Sequence, residues 1–97
     1  MIKGVTEKEE NIIKSILGLY PYDFYYYGSR VKGDYTKSSD LDILLKSEVD
    51  VPYSVLDDIE LKFNESKIPY IVNMSLYKSM DENFYNLIKD DLVRVEL

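Results

Sequence analysis

The sequence predicts a mixed α/β fold, with a small β-sheet of three or four strands covered by helices. Three observations indicate this class. Stretches 22–27 and 40–46 have the residues or the alternation of β-strands. Stretches 12–17 and 55–63 carry aliphatic residues at the spacing of a helix face. The stretches follow one another without a repeat or a linker, and we expect the helices to pack on one face of the sheet.

The N-terminal part of the chain predicts a helix and a first strand. Thr6 and Glu9 have the spacing of a capping box, so a helix is expected to begin there and to end near Leu19, before a proline. The tyrosine-rich stretch 22–27 predicts the first strand. Its aromatic side chains are expected to fill the faces of the sheet rather than to stack on nucleic acid bases.

The middle of the chain predicts a strand, a helix and a third strand. In the stretch 40–46, aliphatic residues at the odd positions share one face, and Asp40 and Asp42 share the other. A helix is expected over 52–65, with its acidic residues facing solvent. The apolar stretch 68–74 predicts the third strand, with a proline confined to its beginning.

The C-terminal part predicts a last helix and an edge strand. Ser79 and Glu82 have the spacing of a second capping box, ahead of apolar residues at helical spacing. The alternating tail 92–97 predicts a short edge strand. Because the chain has 97 residues, of which 45% are hydrophobic, we expect a single domain spanning 1–97.

Composition excludes several kinds of chemistry. The chain has no Cys and no His, which excludes thiolate nucleophiles, Ser-His-Asp triads and zinc held by His or Cys. A bound metal must therefore be a hard ion held by oxygen. The net charge of -6 argues against broad binding to nucleic acid. No apolar stretch approaches the ~20 residues of a membrane helix, and the N-terminus lacks the stretch typical of a secretory signal, so we expect a cytoplasmic protein without a membrane partner.

A Gly-Ser pair and two carboxylates form the candidate site. Asp40 and Asp42 are two residues apart on a strand, so their side chains leave the same face and can share a cation. Gly28 allows the backbone to approach a phosphate, and Ser29 and the amides after it can donate to the phosphate oxygens. Arg30 is a candidate to offset phosphate charge. Each feature also has an ordinary interpretation, because glycines end many strands and polar residues begin many others.

The joint pattern resembles the signature of a known superfamily. A Gly-Ser pair, ten intervening residues and Asp-x-Asp, placed between two strands, are similar to the motif of the nucleotidyltransferase superfamily with DNA polymerase β palm architecture. Within it, the whole chain resembles the minimal nucleotidyltransferases, the small antitoxin partners of HEPN-domain toxins. The resemblance implies the nucleotidyltransferase fold over nearly all 97 residues.

The same resemblance implies roles for individual residues. Asp40 and Asp42 would be the catalytic residues and would hold Mg²⁺, in a site for two ions. Nucleotide binding is assigned to Gly28, Ser29, Arg30 and Ser39. Of these, the Gly-Ser pair would contact the β- and γ-phosphates of ATP. The third carboxylate of the family falls at Asn73, whose side chain is neutral and cannot accept a proton.

The implied reaction moves AMP from ATP to a tyrosine hydroxyl of a HEPN toxin and releases pyrophosphate, within a hetero-oligomer of the two proteins. Asn73 leaves a second hypothesis open, in which an antitoxin of this fold neutralises the toxin by binding alone. In a third, the chain modifies another hydroxyl compound, and a separate subunit completes the acceptor site. The sequence therefore leaves open whether the chain is an enzyme.

Overall fold

The computed structural model describes residue 2 and residues 4–97 of the chain, in which helices and strands alternate. In chain order the elements are α1 (Glu7–Leu17), β1 (Asp23–Tyr27), α2 (Ser29–Lys32), β2 (Leu41–Lys46), α3 (Tyr53–Asn64), β3 (Val72–Leu76), α4 (Glu82–Ile88) and β4 (Val93–Arg94). Short 3₁₀ turns, Tyr77–Ser79 and Lys89–Asp91, lie on either side of α4. No helix in this part of the chain is both long enough and apolar enough to cross a membrane.

The four strands form one mixed sheet in the order β3-β2-β1-β4. β1 pairs antiparallel with both β2 and β4, whereas β2 and β3 run parallel. A parallel pair needs a crossover connection, and α3 provides it between β2 and β3. The mixed α/β class that the sequence predicts is therefore confirmed.

The main core lies between one face of the sheet and helices α1 and α3. Thr6 begins α1 with the predicted capping box, in which the Thr6 hydroxyl and the Glu9 carboxylate each accept the other residue's N–H at 3.1 Å. This start aligns the apolar side of α1 with the sheet. Buried members of the core include Ile13, Leu17, Phe24, Leu41, Ile43, Leu45, Leu56, Ile59 and Phe63.

The opposite face of the sheet is partly covered by α4, so the prediction that all helices pack on one face is wrong. Leu44 is fully buried on this second face, in a smaller cluster with Tyr27 and Ile88. Leu44 lies between Asp42 and Lys46 on this face of β2, so its side chain is removed from water only if another element covers it. Ile88 of α4 provides that cover.

Most predicted boundaries agree with the structure to about a residue, but the third strand does not. β3 begins at Val72 rather than at residue 68, and it extends to Leu76. The connection to β2 starts where Leu41 N–H donates to the Ile71 carbonyl at 2.8 Å. Pro69 lies just before that point and has no N–H for a ladder, which keeps the preceding residues out of the strand.

Three other boundaries also differ from the prediction. α1 ends at Leu17 rather than near residue 19. α4 is capped by Asp81 rather than by Ser79, because the Asp81 carboxylate accepts two N–H groups at the start of the helix, at 2.8 and 3.2 Å. β4 is limited to Val93–Arg94 instead of 92–97.

Candidate functional site

Gly28 connects β1 to α2 at one end of the sheet. Its φ of 86° is a conformation that residues with a side chain rarely adopt. The register of β1 and β2 pairs Tyr27 with Asp42, so the turn lies beside the Asp42 side chain. A Cβ atom at position 28 would overlap Asp42 Oδ2. Glycine is therefore needed both for the backbone angle and for the close approach of the carboxylate.

Three polar side chains converge beside this turn. The parallel register of β2 and β3 places Asn73 directly opposite Asp42. Asn73 Nδ2 donates to Asp40 Oδ2 at 2.9 Å and, more weakly, to Asp42 Oδ1 at 3.4 Å. Both carboxylates thus leave the same face of the sheet and point to a common centre, as their spacing on a strand requires.

The Asp42 carboxyl is half-buried, and its pKa is raised above the ordinary aspartate value. Burial is the largest cause, because it removes water from the charged form. The hydrogen bond from Asn73 lowers the pKa, while the negative charge of Asp40 raises it. A cation between the two aspartates would offset their repulsion and keep both ionised.

The residues present fit a hard divalent cation. Carboxylate and amide oxygens are ligands that Mg²⁺ and Ca²⁺ accept, and the Asp40 and Asp42 carboxylates converge beside the Gly28 turn. Across residue 2 and residues 4–97, no group of three or more His, Cys, Asp or Glu side chains is arranged to hold a metal. Asp40 and Asp42 would therefore be the charged ligands. Asn73 could be a further ligand only if its side-chain amide rotated to bring the oxygen toward the ion, because Nδ2 now faces the carboxylates.

The two serines assigned to nucleotide binding lie in different surroundings. Ser29 is the first residue of α2, directly after Gly28, and is half-buried. Ser39 precedes Asp40, and its Oγ accepts the N–H of Thr36 at 2.8 Å. The Ser39 hydroxyl is thus engaged within its own loop, and only Ser29 lies at the turn.

Arg30 is buried and does not face the surface of the site. Its side chain is 2% exposed, and its guanidinium donates to the carbonyls of Gly4, Lys37 and Ser39. The structure thus gives this arginine a position among backbone carbonyls, in place of the phosphate contact predicted from the sequence.

Two hydroxyl groups beside Asn73 were not among the predicted site residues. Tyr27 Oη and Ser75 Oγ share a hydrogen bond of 2.9 Å that spans β2. Ser75 lies two residues after Asn73 and therefore shares its face of the sheet. Burial raises the pKa of the Tyr27 hydroxyl, which stays protonated at neutral pH. The alternation from Asn73 to Ser75 was the available signal, but the predicted strand ended at residue 74.

Known proteins resemble this chain along nearly its whole length. A family model described as "Nucleotidyltransferase domain" matches residues 7–95. The chain belongs to the nucleotidyltransferase family. This nucleotidyltransferase is 33% identical over 94 residues to the Haemophilus influenzae protein named "Probable protein adenylyltransferase MntA". That match covers 95% of this chain and 82% of the relative.

A solved structure is also similar to this nucleotidyltransferase. The crystal structure from Sulfolobus solfataricus, described as a nucleotidyltransferase, is 26% identical with a TM-score of 0.48, over 88% of this chain and 73% of that one. The family model and the Haemophilus influenzae relative confirm the expectation drawn from the Gly-Ser and Asp-x-Asp motif, including the likeness to minimal nucleotidyltransferases. Members of this family generally use a nucleoside triphosphate and a divalent metal.

Proposed function

We propose that this chain moves AMP from ATP to a tyrosine hydroxyl of a HEPN-domain toxin, and that it acts as the antitoxin of that pair. The convergence of Asp40 and Asp42 beside the Gly28 turn carries the proposal. The relative named as a protein adenylyltransferase supports a protein as the acceptor. Exposed apolar side chains on α4, Phe84 at 43% and Leu87 at 74%, offer contacts for such a protein partner.

In the proposed reaction, Asp40 and Asp42 would hold Mg²⁺, and the ion would supply positive charge that favours the attack of the acceptor oxygen and the departure of pyrophosphate. The acceptor oxygen forms a bond to the α-phosphorus of ATP. The bond from that phosphorus to the oxygen bridging to the β-phosphate breaks, and pyrophosphate leaves. Gly28 lets the backbone approach the phosphates closely, and the Ser29 hydroxyl donates a hydrogen bond to a phosphate oxygen.

The proton of the acceptor has no carboxylate at position 73 to receive it. The Asn73 amide cannot act as a general base, and such assistance is typically worth about 10² to 10⁴ in rate. A tyrosine hydroxyl, with a pKa of about 10, ionises more easily than a serine hydroxyl and can lose its proton to solvent. We therefore expect slow transfer, with tyrosine preferred over serine.

A labelling experiment tests the proposal. The purified chain is incubated with Mg²⁺, ATP labelled at the α-phosphate, and the HEPN-domain protein of the proposed pair. Label is expected on the HEPN protein, and it should be lost with Asp42→Asn but not with Asp57→Asn, which changes an exposed acid of α3. If an active relative labels its own partner under these conditions and this chain does not, the proposed transfer is refuted.

Asn73 favours a second candidate function, in which the chain neutralises the toxin by covering it. The observation behind it is that a neutral amide, which donates to Asp40 at 2.9 Å and to Asp42 at 3.4 Å, lies where the family resemblance places a third carboxylate. The double variant Asp40→Asn, Asp42→Asn separates the two functions in a toxin growth assay. Full neutralisation by this variant supports the binding function, whereas lost neutralisation with an intact complex supports transfer.

A further inference from the structure

Arg30 is the single buried charged side chain in the part of the chain that the structure describes. Burial of a charge is costly unless hydrogen bonds or an opposite charge compensate for it. Across residue 2 and residues 4–97, no carboxylate oxygen lies within salt-bridge distance of this guanidinium. The compensation must therefore come from neutral groups.

Backbone carbonyls and two aromatic rings provide that compensation. Nε and Nη2 of Arg30 both donate to the Ser39 carbonyl, at 3.1 and 2.9 Å. Nη2 also donates to the Lys37 carbonyl at 3.4 Å, and Nη1 donates to the Gly4 carbonyl at 2.8 Å. The guanidinium carbon lies 4.0 Å from the centre of the Tyr70 ring and 5.4 Å from that of Tyr35, where cation–π attraction is favourable.

These bonds join the two parts of the site that lie on either side of the loop between α2 and β2. Arg30 lies in α2. At the start of this helix, the N–H groups of residues 31 and 32 both donate to the Gly28 carbonyl at 3.1 Å. Its guanidinium holds the Ser39 carbonyl, and that carbonyl belongs to the peptide bond leading into Asp40. One side chain thus connects the Gly-Ser turn to the first of the two aspartates.

The loop before Asp40 has little else to hold it. Its other hydrogen bonds stay inside the loop, between Thr36 and its neighbours Ser38 and Ser39. In the described residues, every hydrogen bond from residues 34–39 to the rest of the protein involves Arg30. Among residue 2 and residues 4–97, removal of the guanidinium would therefore leave packing as the contact of this loop with the rest of the protein.

We propose that Arg30 is a positioning residue, which sets Asp40 relative to the Gly28–Ser29 turn by holding the Ser39 carbonyl. In this role it acts through the backbone at Ser39 rather than through a contact with the nucleotide or the acceptor. The inference rests on the proposed function only in that it treats Asp40 as a metal ligand. Groups that orient a metal ligand typically change metal affinity by about 10- to 100-fold when they are removed.

The test compares Arg30→Lys with Arg94→Lys, since Arg94 is the other arginine of the chain and forms an exposed pair with Asp23 at 3.0 Å. Lysine keeps the charge but cannot form the bidentate contact to one carbonyl. We measure Mn²⁺ binding by calorimetry without nucleotide, well below the melting temperature. Arg30→Lys is expected to weaken binding by about 10-fold or more, and Arg94→Lys by less than twofold.

Amide hydrogen exchange provides a readout that needs no metal. In Arg30→Lys, exchange is expected to rise in the segment 34–41 and to stay unchanged in β3. A lower melting temperature with unchanged Mn²⁺ affinity and unchanged exchange in that segment would show a purely structural role and overturn the proposal. Equal acceleration in every strand would overturn it too. If the unaltered chain binds no Mn²⁺, the metal site of the proposed function fails, and the exchange result alone decides the role of Arg30.

A second pair of variants keeps the test open if Arg30→Lys does not fold. Tyr70→Phe and Tyr70→Leu both remove the hydroxyl that donates to Glu9 at 3.2 Å, but only the leucine removes the ring beneath the guanidinium. Faster exchange in residues 34–41 with leucine and not with phenylalanine supports the role of Arg30. Equal exchange in both variants contradicts it.

Discussion

Replacing Asn73 by aspartate should strengthen the response of the protein to metal. In the structure the amide places positive hydrogens against both carboxylates, 2.9 Å from an oxygen of Asp40 and 3.4 Å from one of Asp42. Asn73→Asp removes these hydrogen bonds and brings a third negative charge to the same place. Without metal, the three carboxylates then repel one another at positions where the Asn73 amide had donated to the other two.

The size of the effect follows from the exposure of the site. Two unit charges 4 Å apart interact by about 1 kcal/mol in water and about 4 kcal/mol at an effective dielectric constant of 20. Asp40 is exposed and Asp42 is half-buried, so the lower part of this range applies, about 1–2 kcal/mol. For a domain of this size, each kcal/mol corresponds to roughly 4–8 °C in melting temperature. We expect Asn73→Asp to melt about 4–16 °C lower in EDTA.

Magnesium should reverse the order of the two proteins. A ligand that binds only the folded state stabilises it by about 2.7 kcal/mol at 100 times its dissociation constant, and a third carboxylate strengthens that binding. The rise in melting temperature on adding Mg²⁺ should therefore be larger for Asn73→Asp than for the unaltered chain. Asn86→Asp, which makes the same change on the exposed side of α4, is the control. Equal melting temperatures in EDTA, or equal shifts with Mg²⁺, would refute this account of the site.

Three further predictions concern stability, and each has its own check. Gly28→Ala should destabilise the fold more than Gly33→Ala. Both glycines have a positive φ, of 86° and 92°, but only at position 28 would the new Cβ meet another side chain. Equal unfolding midpoints in urea would contradict the close approach of Gly28 to Asp42. Glu60→Ala should lower the free energy of unfolding by about 1 kcal/mol, because its carboxylate accepts an N–H of the edge strand β3 at 2.9 Å, whereas Asp57→Ala should have little effect. The raised pKa of Asp42 means that the folded state binds more protons than the unfolded state just above the ordinary aspartate pKa. Asp42 therefore contributes a fall in the free energy of unfolding in EDTA as the pH rises through that window, and Asp42→Asn should make the measured slope against pH more positive; an unchanged slope counts against the shift.

The features that the sequence predicted well are those set by neighbouring residues. The capping box at Thr6 and the alternation in β2 depend on contacts within four residues, and both are present as expected. The common face of Asp40 and Asp42 follows from the geometry of any strand. Their approach to Asn73 requires a parallel register of β2 and β3, which the family resemblance implied by placing its third carboxylate there.

The position of α4 could not be derived from local patterns. Ser79 and Asp81 are both good helix caps, and local spacing favoured Ser79. In the structure, residues 77–79 instead form a 3₁₀ turn, and Tyr77 packs edge-on against Tyr85 with ring centres 4.8 Å apart. The 3₁₀ turn takes Ser79 out of the cap position, and Asp81 caps α4 instead.

Arg30 and Glu60 show the same limit for polar side chains. An exposed arginine beside a Gly-Ser turn and an acidic residue on the wet side of a helix were the natural expectations from sequence. Each instead satisfies a backbone group outside its own helix, the Ser39 carbonyl for Arg30 and an N–H of β3 for Glu60. Periodicity reports which face of an element a residue occupies, but it carries no information on which backbone groups elsewhere lack a partner. Both residues hold segments that carry the candidate ligands, the loop before Asp40 and the strand that contains Asn73. The part of the site that the motif does not reveal is therefore its support, the contacts that hold the loop before Asp40 and the strand that carries Asn73.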